Sequence, residues 1–241
     1  MKYAIISDVH SNIESLKCAL ELITPEEELI CLGDIVGYGP NPNECVEHIR
    51  ERVKYAVLGN HDLAAVENFG VEHFNDAARA AIAWTQSVLS HENRTWLNDL
   101  SYELRLPQFL LVHGAPVEYF EYILDKRTAK RALERTDAPL VFIGHTHIAE
   151  WYELDAQGEV THNHMQHGGS LDLDAEKRYI IDVGSVGQPR DLNPEACFVR
   201  YDTATRHVEW VRYSYPVSNV QQKIHECHLP EYLATRLAMG R

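Results

Sequence analysis

Short apolar runs that stop abruptly on polar residues recur along the chain. The first, Tyr3-Ala4-Ile5-Ile6-Ser7, suits a buried strand and breaks at Asp8-Val9-His10-Ser11-Asn12. Ile13, Leu16, Leu20 and Ile23 follow at helical spacing, with Asn12 placed to cap that helix. Further strands are expected over Glu28–Leu32, Lys54–Leu58, Gln108–Val112 and Leu140–Ile143. Pro40, Asn41 and Pro42 mark a loop before a helix over Glu44–Arg52. A long helical region is expected over Asn75–Leu100, with Ala77, Ala80, Ala81, Trp84 and Val88 on one face and Trp84 and Trp96 in the core. A charged helix is expected over Lys126–Arg135.

The last third changes character. A hairpin over Glu150–Val160 turns at Asp155-Ala156-Gln157-Gly158, and Arg178–Val183 reads as a strand. Cys197–Tyr201 and His207–Tyr213 form another hairpin, and a polar helix starts near Ser218. Alternating strands and helices followed by hairpins predict an α/β fold with a mixed sheet or two packed sheets. No repeat or linker divides the chain, so residues 1–241 are expected to form a single domain with a C-terminal helix (about 218–241) appended.

Potential ligand atoms gather where these strands end. Asp8 and His10, Asp34, Asn60 and His61, His113, and His145 and His147 each follow a predicted strand. Open α/β sheets bind ligands outside the carboxyl ends of their strands, so these scattered loops are expected to converge. The set contains carboxylates, an amide and imidazoles but no thiolate, which suits Mn²⁺, Fe²⁺, Zn²⁺ or Ni²⁺. One ion needs about three or four protein ligands, so this set fits two ions sharing a carboxylate. A pair about 3.5–4 Å apart suits in-line displacement at phosphorus.

Charge and cysteine usage narrow the function classes. There are 22 Lys plus Arg against 36 Asp plus Glu, a net charge of −14, so a duplex nucleic acid or membrane-surface partner is not expected. The field says nothing against a small anionic substrate held at a local metal site. Five widely spaced cysteines without a CxxC pair read as reduced thiols. The N-terminus lacks the pattern of a signal peptide, and a soluble, cytoplasmic protein is expected.

At its strand-end motifs the chain resembles the calcineurin-like metallophosphoesterases. Asp8-Val9-His10, Gly33-Asp34, Gly59-Asn60-His61-Asp62, Val112-His113-Gly114 and Gly144-His145-Thr146-His147 match that family's motifs in order. Gly184-Ser185-Val186-Gly187-Gln188-Pro189-Arg190 is similar to the closing motif of its small bacterial and archaeal branch. The resemblance spans about residues 1–190. It implies a four-layer α-β-β-α sandwich with the site at one sheet edge. It further implies that Asp8, His10 and His147 hold a first metal and Asn60, His113 and His145 a second. Asp34 would bridge the two. His61 would act at the leaving group as general acid or transition-state stabiliser rather than as a ligand.

One departure shapes the expected activity. Where the protein-phosphatase branch reads GDxVDRG, this chain has Gly33-Asp34-Ile35-Val36-Gly37-Tyr38-Gly39. Gly37 replaces the Asp that pairs with the catalytic His, and Tyr38 replaces a phosphate-binding Arg. Asp62 adjoins His61 but is not assigned the missing role. Hydrolysis of a phosphodiester or nucleotide-type ester by metal-bound hydroxide is therefore favoured. Serine/threonine protein phosphatase or phosphomonoesterase activity is the alternative, followed by a non-catalytic scaffold or a nuclease.

Tyr38 and Arg190 are candidate contacts to the substrate, and Arg79 is a weaker one. The segment Thr161-His162-Asn163-His164-Met165-Gln166-His167 reads as a solvated loop rather than a second metal site. His48, His73, His91, His207, His225 and His228 receive no functional role. Leu229, Leu233 and Leu237 on the C-terminal helix could support a homo-oligomer.

Overall fold

The structure, a computed structural model, describes all 241 residues. The chain runs β1 (Lys2–Ile6), α1 (Ile13–Leu22), β2 (Glu27–Cys31), α2 (Pro42–Arg52), β3 (Val53–Ala56), α3 (Asn60–Glu67) and α4 (Asp76–Val88). It continues through α5 (His91–Asn98), β4 (Glu103–Arg105), β5 (Leu110–Val112), α6 (Lys126–Glu134), β6 (Leu140–Ile143), β7 (Ala149–Leu154), β8 (Val160–His164) and β9 (Gly169–Asp172). It ends with β10 (Arg178–Val183), β11 (Ala196–Asp202), β12 (His207–Tyr213), α7 (Val217–Glu226) and α8 (Glu231–Thr235). No helix is long and apolar enough to cross a membrane.

Two six-stranded mixed sheets form the centre. Their orders are β3-β2-β1-β11-β12-β9 and β4-β5-β6-β10-β7-β8. Strand period two sends Tyr3 and Ile5 of β1 into a core between the sheets, where Leu111, Phe142, Ile181 and Trp210 meet them. Ala4 and Ile6 point the other way, into a core under the helices of the first sheet. A third core lies between the second sheet and α6. Three cores separate four layers, so the α-β-β-α sandwich is present. The first helical layer covers 33 buried apolar residues and the second only 12, because α6 alone roofs the second sheet.

The strands that carry the chemistry are parallel within each sheet. β1, β2 and β3 run together in the first, and β5, β6 and β10 in the second. Their carboxyl ends therefore share an edge.

Several sequence expectations need correction. The region Asn75–Leu100 is two helices, not one. α4 stops at Leu89, and the Ser90 side chain accepts from Asn93 N to start α5. The buried face of α4 is Ala78, Ala81, Ile82 and Thr85, so Ala80 and Val88 are exposed. Trp84 and Trp96 are only partly buried. Residues 161–164, expected in a solvated loop, belong to β8, the edge strand paired with β7. The C-terminal helix is broken before α8, and a 3-10 turn follows over Arg236–Met239. Leu229, Leu233 and Leu237 are buried in the protein's own core, so they offer no surface for self-association.

Candidate metal centre

The strand-end loops converge as expected. Asp8, His10, Asp34 and His147 place one ligand atom each within 4.8 Å of one another, and so do Asp34, His113 and His145. Asp34 belongs to both groups. Its Oδ2 lies 3.6 Å from His10 Nε2 and 3.4 Å from His113 Nε2. Asn60 joins the second group, with Oδ1 3.2 Å from His113 Nε2. His145 Nδ1 lies 3.1 Å from the same nitrogen.

Backbone geometry builds this cluster at a local cost. Asp8, His10, Asp34, His145 and His147 all have φ between +47° and +69°. Left-handed backbone is unfavourable for residues with a side chain and concentrates at functional sites. The loops hold one another in place. Asp8 N donates to Gly33 O and His10 N to Asp34 O, at 3.1 and 2.9 Å. His145 N donates to Asp8 Oδ2 at 3.0 Å, and His61 N to Asp34 Oδ1 at 2.8 Å. The segment after β10 ties in too: Ser185 Oγ donates to the Asp8 carbonyl at 2.9 Å, and Arg190 N to the His147 carbonyl at 3.1 Å. A Cβ on Gly144 would stand 2.6 Å from Asp8 Oδ2, so only glycine lets these loops approach.

Each imidazole has its outer nitrogen fixed. His10 Nδ1, His113 Nδ1 and His147 Nδ1 lie 3.1, 2.7 and 2.6 Å from the carbonyls of Val36, Leu32 and Gln188. His145 Nε2 lies 3.0 Å from the Phe120 carbonyl. A carbonyl only accepts, so each of these nitrogens carries a proton. Such partners orient metal-binding histidines and set their tautomer.

The donor chemistry fits cations. Burial holds His10 and His147 below the ordinary imidazole pKa, so both are neutral. With their Nδ1 protons committed to carbonyls, two Nε2 lone pairs face each other at 3.1 Å. Asp8 Oδ1 is buried beside them without a hydrogen-bond partner. That arrangement is repulsive alone and becomes ligation around a cation. Burial would raise the Asp8 and Asp34 carboxyls, but the charge that the facing imidazoles carry once protonated, chiefly His147 against Asp8 and His113 against Asp34, outweighs it and holds both well below the usual range. Burial also opposes protonation of His113, yet the Asp34 carboxylate pushes its pKa up to about 9. A proton on His113 and a cation therefore compete for the same acceptors.

His61 sits beside the cluster. Its ring is 4.8 Å from that of His10, stacks on Phe74 at 4.5 Å and leans on Tyr38 at 4.4 Å. Its Nδ1 is buried with no partner. A Cβ on Gly37 would stand 2.6 Å from that atom, so this glycine makes room for the ring. Asp62 points away, accepting from Val36 N and Gly59 N at 3.0 and 3.2 Å.

Arg190 reaches Gln188 Oε1 and the Tyr38 hydroxyl at 3.0 and 3.4 Å, and its guanidinium lies 5.7 Å from the Tyr38 ring. Arg236, 93% buried by its 7% exposure, lies 5.9 Å from the same ring. Arg190 has no carboxylate within salt-bridge distance and its Nε is buried without a partner, whereas Arg236 Nε donates to the main-chain oxygen of Arg241. Arg79 instead pairs with Asp76 and the Phe74 carbonyl, away from the cluster.

Nothing in the sequence flags Arg236, which arrives from a distant C-terminal turn. A pocket of about 310 Å³ that opens beside Asn60 and His145 was also not foreseen. Phe69, Phe74, Phe120 and Tyr122 line it, and Tyr122 stacks on His145 at 3.8 Å. Phe74 and Phe120 stand in loops with no periodic pattern.

A buried Asp/His cluster at a shared edge of two packed mixed sheets is the architecture of a metal-dependent phosphoesterase. The family model for calcineurin-like phosphoesterases matches residues 1–149, and the chain belongs to that family. It is 37% identical over 246 residues to the uncharacterized protein MJ0912 of Methanocaldococcus jannaschii, covering 99% of this chain and 98% of that one. A metallophosphoesterase from Sphaerobacter thermophilus superposes with a TM-score of 0.89 at 36% identity, both chains being fully covered. Hypothetical protein PH1004 from Pyrococcus horikoshii shares the fold, with a TM-score of 0.78 at 21% identity over 100% of this chain and 98% of the other.

Proposed function

We propose that this phosphoesterase hydrolyses a phosphodiester or nucleotide-type phosphate ester at two divalent cations that share Asp34. The observation that carries this reading is the position of Asp34, whose one carboxylate oxygen faces imidazoles from both groups. Asp8, His10 and His147 would hold one cation, and Asn60, His113 and His145 the other. When bound, the cations would neutralise the substrate's phosphate charge and make water acidic enough to react near neutral pH. Mn²⁺, Fe²⁺, Zn²⁺ and Ni²⁺ all suit these donors.

The residues around the cluster divide the remaining work. His61 faces the leaving-group side. Burial, with help from nearby Arg190, pushes its pKa down to about 4 in the metal-free protein, against the pull of Asp34. It then rests neutral, with a ring N–H available to donate to a bound phosphate ester. Arriving phosphate charge raises its pKa and readies it to protonate a departing oxygen. Arg190, a cation whose buried Nε has no partner, would hold a phosphate oxygen or a second anionic group.

Two features favour a diester or nucleotide over a phosphoprotein. Gly37 leaves His61 without the acidic partner that the protein-phosphatase branch supplies. The aromatic pocket beside Asn60 and His145 offers a stacking surface for a base or aryl group.

Metal-stripped protein re-supplied with each cation is to be assayed on bis(p-nitrophenyl) phosphate and p-nitrophenyl phosphate. Diester turnover above monoester turnover, abolished by chelator, is expected. Monoester preference would return the phosphomonoesterase alternative. No turnover at full metal occupancy would sink the hydrolytic reading for such esters.

A further inference from the structure

We propose that Glu150, His162 and His164 form a separate binding site for a divalent transition-metal cation on the outer face of the second sheet. Strand geometry assembles it. In the β7–β8 ladder Glu150 opposes His164, and Tyr152 opposes His162. Residues two apart on a strand share a face, so both imidazoles project beside the carboxylate. His162 Nε2 lies 2.7 Å and His164 Nδ1 3.0 Å from the same Glu150 oxygen, Oε2. The three donor atoms lie within 4.8 Å of one another.

Neighbouring groups already orient two of the three donors. The Tyr152 hydroxyl donates to Glu150 Oε1 at 2.9 Å, leaving Oε2 to the imidazoles. The His162 ring lies flat on the Tyr152 ring, 4.3 Å away and 5° from parallel. Such second contacts are what hold ligands in place at metal sites. Glu150 is 2% exposed while His164 is 60% exposed, so the carboxylate is sheltered and the entry side is open.

The chemistry favours ligation over a plain ion pair. One imidazolium would satisfy the carboxylate, and a second on the same oxygen would add an uncompensated cation. Ligation uses both rings as neutral donors. Two imidazoles and a carboxylate suit Zn²⁺, Ni²⁺, Co²⁺ or Cu²⁺, with a remaining position for water. Tetrahedral bonds of about 2.0–2.1 Å place donors about 3.3 Å apart, a few tenths beyond the present spacing. Small swings of the two imidazoles supply the difference.

This site shares no ligand with the Asp34 cluster, so its test stands apart from the proposed activity. Glu150 is nevertheless paired across the sheet with Asp182, which accepts from Thr146 Oγ1 at 2.7 Å. Thr146 lies between His145 and His147, so a cation here would brace the sheet behind that loop.

Full-length, chelator-stripped protein is to be titrated with Zn²⁺ by calorimetry, with bound metal counted by mass spectrometry. The variants are His164→Ala, His162→Gln, Asp34→Asn and Asp34→Asn/His164→Ala. His164→Ala is expected to remove one equivalent of Zn²⁺ from both backgrounds and to leave phosphoester turnover unchanged. His162→Gln should weaken the same binding step by about 100-fold or more while keeping the fold, as melting curves will show. Unchanged Zn²⁺ stoichiometry and affinity in both His variants would overturn the proposal. So would loss of the same equivalent in Asp34→Asn alone.

Discussion

Replacing His61 by Ala separates chemistry from metal binding at this site. The His61 ring has no ligand atom among the two metal-binding groups and meets the cluster through an edge-to-face contact with His10 at 4.8 Å. A positioned general acid is worth about 10²–10⁴ in rate, or about 3–5 kcal/mol of barrier at ~1.36 kcal/mol per tenfold. The variant also loses aromatic contacts with Phe74 and Tyr38, worth about 0.5–1.5 kcal/mol each. Stability should therefore fall by about 1–3 kcal/mol, with the protein still folded. kcat is to be measured on diesters of graded leaving-group quality, with metal counted on the same samples. The expected result is full metal content and a rate loss that grows as the leaving group becomes more basic. Loss of metal would refute the placement of His61 outside the ligand set. An equal rate loss for every leaving group would refute its role as acid.

The other predictions concern the cluster's protons, its packing and its pocket. In metal-stripped protein, burial holds His10, His145 and His147 below the ordinary imidazole pKa and pushes His61 down to about 4. Unfolded histidines titrate near ~6.5, so below that pH the unfolded chain binds more protons and stability falls with pH. His113, raised to about 9, stabilises fully below ~6.5 and loses that contribution as pH rises through 9, so it does not offset the loss on the acid side. Asp62, pushed up to about 7 by burial, and Asp182, also raised by burial, take up protons in the folded protein over the same range and offset part of this loss. Four histidines outweigh two carboxyls, so the melting temperature should be lower at pH 5.5 than at pH 6.5, and no drop would contradict the neutral-imidazole assignment. Gly144→Ala pushes a methyl group against Asp8 and Ser7, and should cost about 1–3 kcal/mol while weakening metal binding. Phe120→Ala opens the aromatic pocket, and should raise KM for aryl or nucleotide diesters more than for small alkyl ones.

Much of the site is legible in the sequence because buried parallel strands read as apolar runs, and their ends announce themselves as polar residues. Asp8, Asp34, His113 and His145 all follow such runs. What escapes is structure without a periodic face. Gly169-Ser170-Leu171-Asp172 and Glu103-Leu104-Arg105 are short, largely polar edge strands, recognisable only by their partners. Asn60-His61-Asp62 reads as a loop, yet Asp62 folds back on Gly59 and starts a helix there. The helix break at Ser90 depends on a single serine cap, which pattern alone does not separate from a polar helix position. His162 and His164 alternate as a strand should, but on an edge with Asn163 exposed between them the apolar contrast is weak. Arg236 meets Tyr38 across nearly the whole chain, a contact that no local signal encodes.

The central claim is that two cations share Asp34, and diffraction from metal-loaded crystals at the absorption edge of the bound ion tests it most directly. The account predicts two anomalous peaks about 3.5–4 Å apart. The Asp34 carboxylate should lie between them, with Asp8, His10 and His147 on one and Asn60, His113 and His145 on the other. A single peak, or two peaks neither of which touches Asp34, would contradict it.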